Sequence, residues 1–386
     1  MKRFLPYGAH SIIEEDIKAV VKALKQDYIT SGEQVDLFEK KICNLTGAKY
    51  SVVCSSGTSA LHLACLAMGL KKDDVAIVPT ISFLATANAV RYCGANVIFA
   101  DVCPRSGLMT PETFDAALNK ARRKGVKVKV VLPVHLTGTP VELKEIKEIS
   151  KNNDIKIIAD SCHSIGGKYR GNPLGSCVYE DVATFSFHPV KTITSGEGGA
   201  VTTNSIAIYR KMRALRSHSM EKNTSMLPWE YKMKELGFNY RINDFQSALG
   251  ISQLNRLERF VKKRQELVLN YNRLLSDAYP IVETRGKATN WNKLAPHLYS
   301  ILIDFKLAKT NRQAVMRKLQ RIGIGTQVHY IPIHTQPYYK KLYGNLNLKG
   351  AYDYYKKTLS LPLFPQMKVA DVEFVVKSLK SILNIL

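Results

Sequence analysis

A lysine forms a Schiff base readily only when its amine has shed part of its water and its proton, so the neighbours of a lysine matter more than its presence. Lys191 lies in Ser186-Phe187-His188-Pro189-Val190-Lys191-Thr192-Ile193-Thr194-Ser195-Gly196-Glu197-Gly198-Gly199, between an apolar run and a glycine-rich turn. Lysines are mostly solvated surface charges, but small and apolar flanks of this kind would make an odd surface. Three other segments carry complementary chemistry. Ser55-Ser56-Gly57-Thr58-Ser59 opens the helical run Ala60 to Met68; its free backbone N–H groups and the positive end of the dipole suit a phosphate, although Ser and Thr are equally ordinary helix caps. Asp160 ends the run Lys156 to Ala159 and precedes Ser161, Cys162 and His163. A carboxylate there can hold a proton on a heterocyclic nitrogen, or it can simply cap the next turn. Phe83, in Pro79-Thr80-Ile81-Ser82-Phe83, can lie flat against a planar cofactor or pack in a core.

All four positions follow short β-branched or apolar runs, and ligands of α/β sheets collect at the carboxyl ends of strands. Seven such runs alternate with helical or loop segments: Ser51 to Cys54, Val75 to Pro79, Val97 to Asp101, Val128 to Val134, Lys156 to Asp160, Ala183 to Phe187 and Gly199 to Thr203. Nearly all-apolar runs predict strands buried on both faces, in a mostly parallel seven-stranded sheet covered by helices. From Arg241 to about Ala278 the apolar stripe has a helical period, predicting one long helix or a broken pair that connects two domains. Beyond it, His297 to Phe305 reads as a strand, Gln313 to Ile322 as a helix and Val369 to Leu386 as a closing helix. The expected architecture is α/β, with a large domain over 1–260 and a smaller α+β domain over 261–386. A helix from Ile12 to Lys25 is expected near the mouth between them.

At 386 residues and 45% apolar content the chain can bury both cores. It has no stretch of roughly 20 apolar residues, and Met1-Lys2-Arg3-Phe4-Leu5-Pro6 lacks a signal-peptide core, so a cytoplasmic location without membrane contact is expected. The seven cysteines all lie in the first half without a C-x-x-C pair, which argues against a disulfide framework and against a metal site. A net charge of +24 raises nucleic acid as a partner. The basic residues are scattered in short groups such as Lys262, Lys263 and Arg264, without a basic arm or binding module, so no nucleic acid is expected.

Taken in order, Gly57-Thr58-Ser59-Ala60-Leu61, Asp160-Ser161-Cys162-His163, Ser186 to Lys191 and Gly196-Glu197-Gly198-Gly199 make the chain resemble the DegT/DnrJ/EryC1/StrS family of sugar aminotransferases. The resemblance covers nearly the whole length. It takes in Thr30-Ser31-Gly32, Leu215-Arg216-Ser217-His218, Gly237-Phe238-Asn239-Tyr240-Arg241, His297-Leu298-Tyr299 and Leu361-Pro362-Leu363-Phe364-Pro365. It implies the type I fold of enzymes dependent on pyridoxal 5′-phosphate (PLP). By the same resemblance Lys191 is the Schiff-base lysine and Asp160 the partner of the pyridine nitrogen. Ser56, Gly57, Thr58 and Ser186 form the phosphate cup, and Phe83 is the ring stacked on the cofactor. Asn239 reaches the phosphate of a neighbouring subunit, which implies a homodimer with shared active sites. Where many members have Gln, this chain has His163, expected at the cofactor face or its 3′-oxygen.

Some relatives are dehydratases with histidine at the lysine position, so Lys191 implies transamination. The stretch Gly323 to His334 with Gln336-Pro337-Tyr338-Tyr339 looks most like the branch acting in pseudaminic acid biosynthesis. That branch aminates C4 of a UDP-linked 2-acetamido-2,6-dideoxy-4-keto-hexose; amination at C3 or dehydration of another nucleotide-linked keto-sugar is the alternative. Tyr7, Asp27, Tyr28, Ile29, Thr30, Gln327, Val328, His329 and Tyr330 are then expected to line the sugar-nucleotide site, with glutamate as the amino donor.

Overall fold

The computed structural model describes residues 4–221, 227–284 and 294–385. Met1 to Arg3, part of the start segment considered above, and Leu386, the expected end of the closing helix, lie outside the described residues. Seven strands form one sheet: β1 (Tyr50–Cys54), β2 (Val75–Pro79), β3 (Asn96–Ala100), β4 (Val128–Val131), β5 (Lys156–Asp160), β6 (Val182–Ser186) and β7 (Gly199–Thr203). Their order is β1-β7-β6-β5-β4-β2-β3. All neighbours run parallel except β7, which is antiparallel to both β1 and β6. β2 and β7 are buried along their whole length, the burial that helices on both faces impose. β4 stops short of the expected Val134: Pro133 lacks the N–H that would continue the ladder.

Three antiparallel strands, β8 (Val282–Glu283), β9 (Tyr299–Ile303) and β10 (Thr358–Leu361), form a second sheet. The connector is a broken pair of helices, Asp244–Leu254 and Leu257–Leu274. The second begins in a core under the seven-stranded sheet, through Leu257, Phe260 and Val261. It ends in the core of the three-stranded sheet, through Leu267 and Tyr271. Both sheets are thus packed on one rod. The chain then crosses back, since Ile333 and Tyr339 pack on one face of the large sheet and Ala351 and Tyr354 on the other.

The N-terminal helix, Glu14–Leu24, lies against Asp244–Leu254. Its fully buried Asp16 accepts hydrogen bonds from Ser252 Oγ (2.6 Å) and Gln253 Nε2 (2.9 Å) and pairs with Arg256. A buried carboxylate needs that many donors to offset its desolvation. The helix leaves Ile17, Val21 and Leu24 exposed on its other face. Among the described residues no helix is long and apolar enough to cross a membrane.

Candidate active site

The carboxyl ends of β2, β5 and β6, the turn after β1 and segments outside the three-stranded sheet, His297 and Gln327 to Ile331, surround a cavity of about 610 Å³. Lys191 enters it from the link between β6 and β7. Because β7 reverses direction, that link is pinned at its two ends: Phe187 N–H donates to Gly198 O (2.8 Å), and Thr194 Oγ1 and Ser195 N–H both donate to Phe187 O (2.9 and 3.0 Å). Phe187 itself is buried beneath the sheet. Burial lowers the Lys191 ammonium from the ordinary lysine pKa, with Cys162 and Asp160 acting in the opposite sense. Such a lysine reaches its nucleophilic form more easily than a surface one.

Asp160 stands at the tip of β5, buried and facing the same cavity. Its Oδ1 accepts the Cys162 N–H (3.1 Å), and its Oδ2 accepts the Thr86 hydroxyl (2.8 Å). Since the one Thr86 proton goes to Asp160, the Ser82 hydroxyl must donate to Thr86 Oγ1 (2.7 Å). The turn cap is therefore seen, and the carboxylate also lies at the cavity wall. The neighbouring Cys162 thiol is pushed well up by burial and by the Asp160 charge.

The turn after β1 opens the helix Gly57–Ala67. Ser56 Oγ takes the Ser59 N–H (3.1 Å) and Ser56 O the Ala60 N–H (3.0 Å). That leaves the N–H groups of Gly57 and Thr58 without an acceptor among the described residues. Glycine is required here, because a Cβ at Gly57 would stand 2.7 Å from Ser186 Cβ and 3.0 Å from Ser186 Oγ. Its absence lets the helix N-terminus close onto the Ser186 hydroxyl, and the resulting cup suits a phosphate. Phe83 is 56% exposed at the edge of the cavity, so core packing is not its role.

His163 Nδ1 accepts the Thr137 N–H (3.2 Å), and its Nε2 lies 3.3 Å from Tyr330 Oη. Its ring is 4.5 Å from that of His297, which burial and neighbouring positive groups hold far below the usual histidine pKa. The far wall is built from distant sequence. Leu5 pairs with Ile324, which sets Tyr7 with its ring 5.4 Å from that of His329. Gln327, Val328, His329 and Tyr330 complete that wall, His329 Nδ1 being held 2.8 Å from Ser360 Oγ.

Of the residues expected at the site, Asp27, Tyr28, Ile29, Thr30 and Asn239 do not line this cavity in the single chain; they are exposed. Thr30 pairs with Asn243, and the Asp244 N–H donates to Ile29 O (3.0 Å). The structure adds residues that carried no expectation: Thr86 and Ser82 behind Asp160, Thr137 behind His163, and His297. His297 stands in the His-Leu-Tyr motif and was visible as such. Thr86, an ordinary threonine in a helix, gave no local signal.

An amine, a buried carboxylate, an anion cup and an exposed aromatic ring around one cavity fit a flat, phosphorylated heterocycle bearing a carbonyl. Residues 10–380 match the DegT/DnrJ/EryC1/StrS aminotransferase family. A UDP-4-amino-4,6-dideoxy-N-acetyl-beta-L-altrosamine transaminase of Campylobacter jejuni subsp. jejuni serotype O:23/36 is 38% identical over 380 residues, 98% of each chain. The structure of Helicobacter pylori PseC, an aminotransferase involved in the biosynthesis of pseudoaminic acid, superimposes with a TM-score of 0.91 at 31% identity, over 99% of this chain and 100% of that one. The PLP form of sugar aminotransferase Spr1654 from Streptococcus pneumoniae shares the fold, with a TM-score of 0.89 at 24% identity over 99% of each chain.

Proposed function

The chain belongs to the DegT/DnrJ/EryC1/StrS aminotransferase family, and on that premise we propose that it is a cytoplasmic, PLP-dependent enzyme that aminates C4 of a UDP-linked 2-acetamido-2,6-dideoxy-hexos-4-ulose. The amino group comes from glutamate, and the product enters a pseudaminic acid-type pathway. One observation carries the reading: Lys191 and Asp160 face a common cavity beside the cup of Gly57, Thr58 and Ser186. The transaminase and PseC relatives support the choice of sugar and of carbon.

The cup would hold the phosphate, with Ser56 fixing the turn, and Phe83 would cover one ring face. His163 would lie on the cofactor side of the cavity. Bound there, PLP supplies a ring that withdraws electrons from the carbon bearing the transferred nitrogen. Asp160, kept in place by Thr86 and the Cys162 N–H, holds a proton on the ring nitrogen. Lys191 Nζ takes the proton from Cα of the donor in the first half-reaction and delivers one to C4 of the sugar in the second. Tyr7 and the Gln327 to Tyr330 wall would hold the sugar nucleotide.

The site is shared in a homodimer. Asn239, paired with Ser217, and the segment Asp27 to Thr30, held at its end by Asn243 and Asp244, are exposed, as are Ile17, Val21 and Leu24 on the N-terminal helix. An exposed apolar surface of that kind is expected to be covered by a second copy. The test is spectroscopic. Purified protein should carry a visible absorption band that glutamate bleaches and the keto-sugar restores, and Lys191→Ala should lose both responses while keeping its fold. A colourless protein that takes up no PLP, or an active Lys191→Ala, would overturn the assignment.

A further inference from the structure

The Thr137 backbone is in the left-handed region, φ 63°, an unfavourable place for a β-branched residue. It is held there because its carbonyl accepts the His297 N–H (3.0 Å), and because Gly138 lets the turn close on Ala295 O, which a Cβ would meet at 2.0 Å. The result is that the Thr137 N–H points at His163 Nδ1. An amide N–H can only donate, so Nδ1 carries no proton, and the imidazole is the neutral form with its proton on Nε2. At 3.3 Å the Tyr330 hydroxyl oxygen therefore accepts from His163. Among the described residues His163 is the hydroxyl's one hydrogen-bond partner, and Tyr330 lines the cavity beside Phe83, with ring centroids 6.0 Å apart. The phenol proton is thus left for a ligand.

We infer that Tyr330 donates a hydrogen bond to the keto oxygen of the amine acceptor, and that His163 and Thr137 are positioning residues that give the hydroxyl this direction. The inference rests on the aminotransferase reading above. Of the two substrates only the acceptor brings a neutral carbonyl to the reacting carbon. When the incoming amine replaces that oxygen, a C=N bond forms as the C=O bond breaks, and the oxygen leaves as water with the two protons of the nitrogen. Negative charge gathers on the oxygen before those protons arrive, and a donor already oriented toward it stabilises it. The same hydroxyl has no corresponding partner in removal of a proton from the donor's Cα.

The two half-reactions of the cofactor-loaded enzyme can be timed separately by absorbance, glutamate bleaching the band and the keto-sugar restoring it. Tyr330→Phe should slow the sugar-driven step about a hundredfold more than the glutamate-driven step. His163→Leu should share that selective defect. His163→Gln should recover to within about tenfold of wild type, since a glutamine can accept the Thr137 N–H through Oε1 and donate to Tyr330 through Nε2. Nitrogen NMR of the loaded protein, with His163 assigned by difference against His163→Gln, should show a bare Nδ1 and a protonated Nε2. Equal slowing of both steps, a His163→Gln as impaired as His163→Leu, or an Nδ1–H tautomer would overturn the inference. Failure of glutamate to bleach wild type would instead remove the aminotransferase reading, and this inference with it.

Discussion

Lys191 shows how far a single residue's environment changes its chemistry. Its folded pKa lies below the ordinary lysine value because burial disfavours the ammonium. Folding therefore weakens proton binding, and the charged form costs stability at every pH below that folded value. The cost fades as pH rises through the folded pKa toward about 10.4, where an unfolded lysine also loses its proton. Lys191→Met should thus stabilise the cofactor-free protein at about pH 7, and the gain should shrink by about pH 9.5. Urea unfolding of the two proteins at both pH values measures this, and a gain that grows with pH would contradict the direction of the shift. Asp160 shows the complementary limit of reading a residue alone. A turn cap and a carboxylate holding a ring proton were the alternatives open from sequence; the Cys162 N–H on Oδ1 is the cap, and the second reading belongs to the proposed function.

At the scale of elements, the local pattern carried most of what was needed. Strands at Val75–Pro79, Lys156–Asp160 and Gly199–Thr203 were legible to the residue because apolar β-branched runs end at polar, glycine or proline breaks. The reversal of β7, which decides that the lysine link folds back over the sheet, has no local cause and was not legible. Nor were the contacts that reach across the chain, such as Thr86 on Asp160 or Leu5 on Ile324. Gly57 lies between these cases: its motif was visible, but its reason is the approach of one element to another. Adding a methyl there forces the helix Gly57–Ala67 off β6, since Ser186 Cβ would be only 2.7 Å away. Gly57→Ala should destabilise the protein by about 1–3 kcal/mol and weaken PLP binding by at least about tenfold through the misplaced donors. Ser186→Ala should weaken PLP binding without the loss of stability. Chemical unfolding and cofactor titration of the apo-proteins separate the two, and a Gly57→Ala that binds PLP like wild type would exclude the cup.

Over the whole molecule, Asn239 and Asp27 to Thr30 lie outside their own cavity, and the proposed homodimer would give them a place in the partner's site. Both are exposed, with Tyr28 at 74%, and Asp244 fixes the segment after Ile29 by accepting the N–H groups of Gly32 (2.9 Å) and Gln34 (3.0 Å). A segment so firmly tied yet so exposed is set up to be met from outside. If Asn239 serves the partner's phosphate cup while Lys191 serves its own, the two residues belong to different sites of the same dimer. Lys191→Ala and Asn239→Asp homodimers are then each inactive, the second because a carboxylate would face the phosphate. In a mixed dimer one site collects both substitutions, and the other keeps an intact Lys191 and an intact Asn239. Random exchange makes about half of the dimers mixed, each with one of two sites intact, so unfolding and refolding the variants together should return about a quarter of wild-type activity. Two variants that act within one chain would return none, and that result would confine the active site to a single subunit.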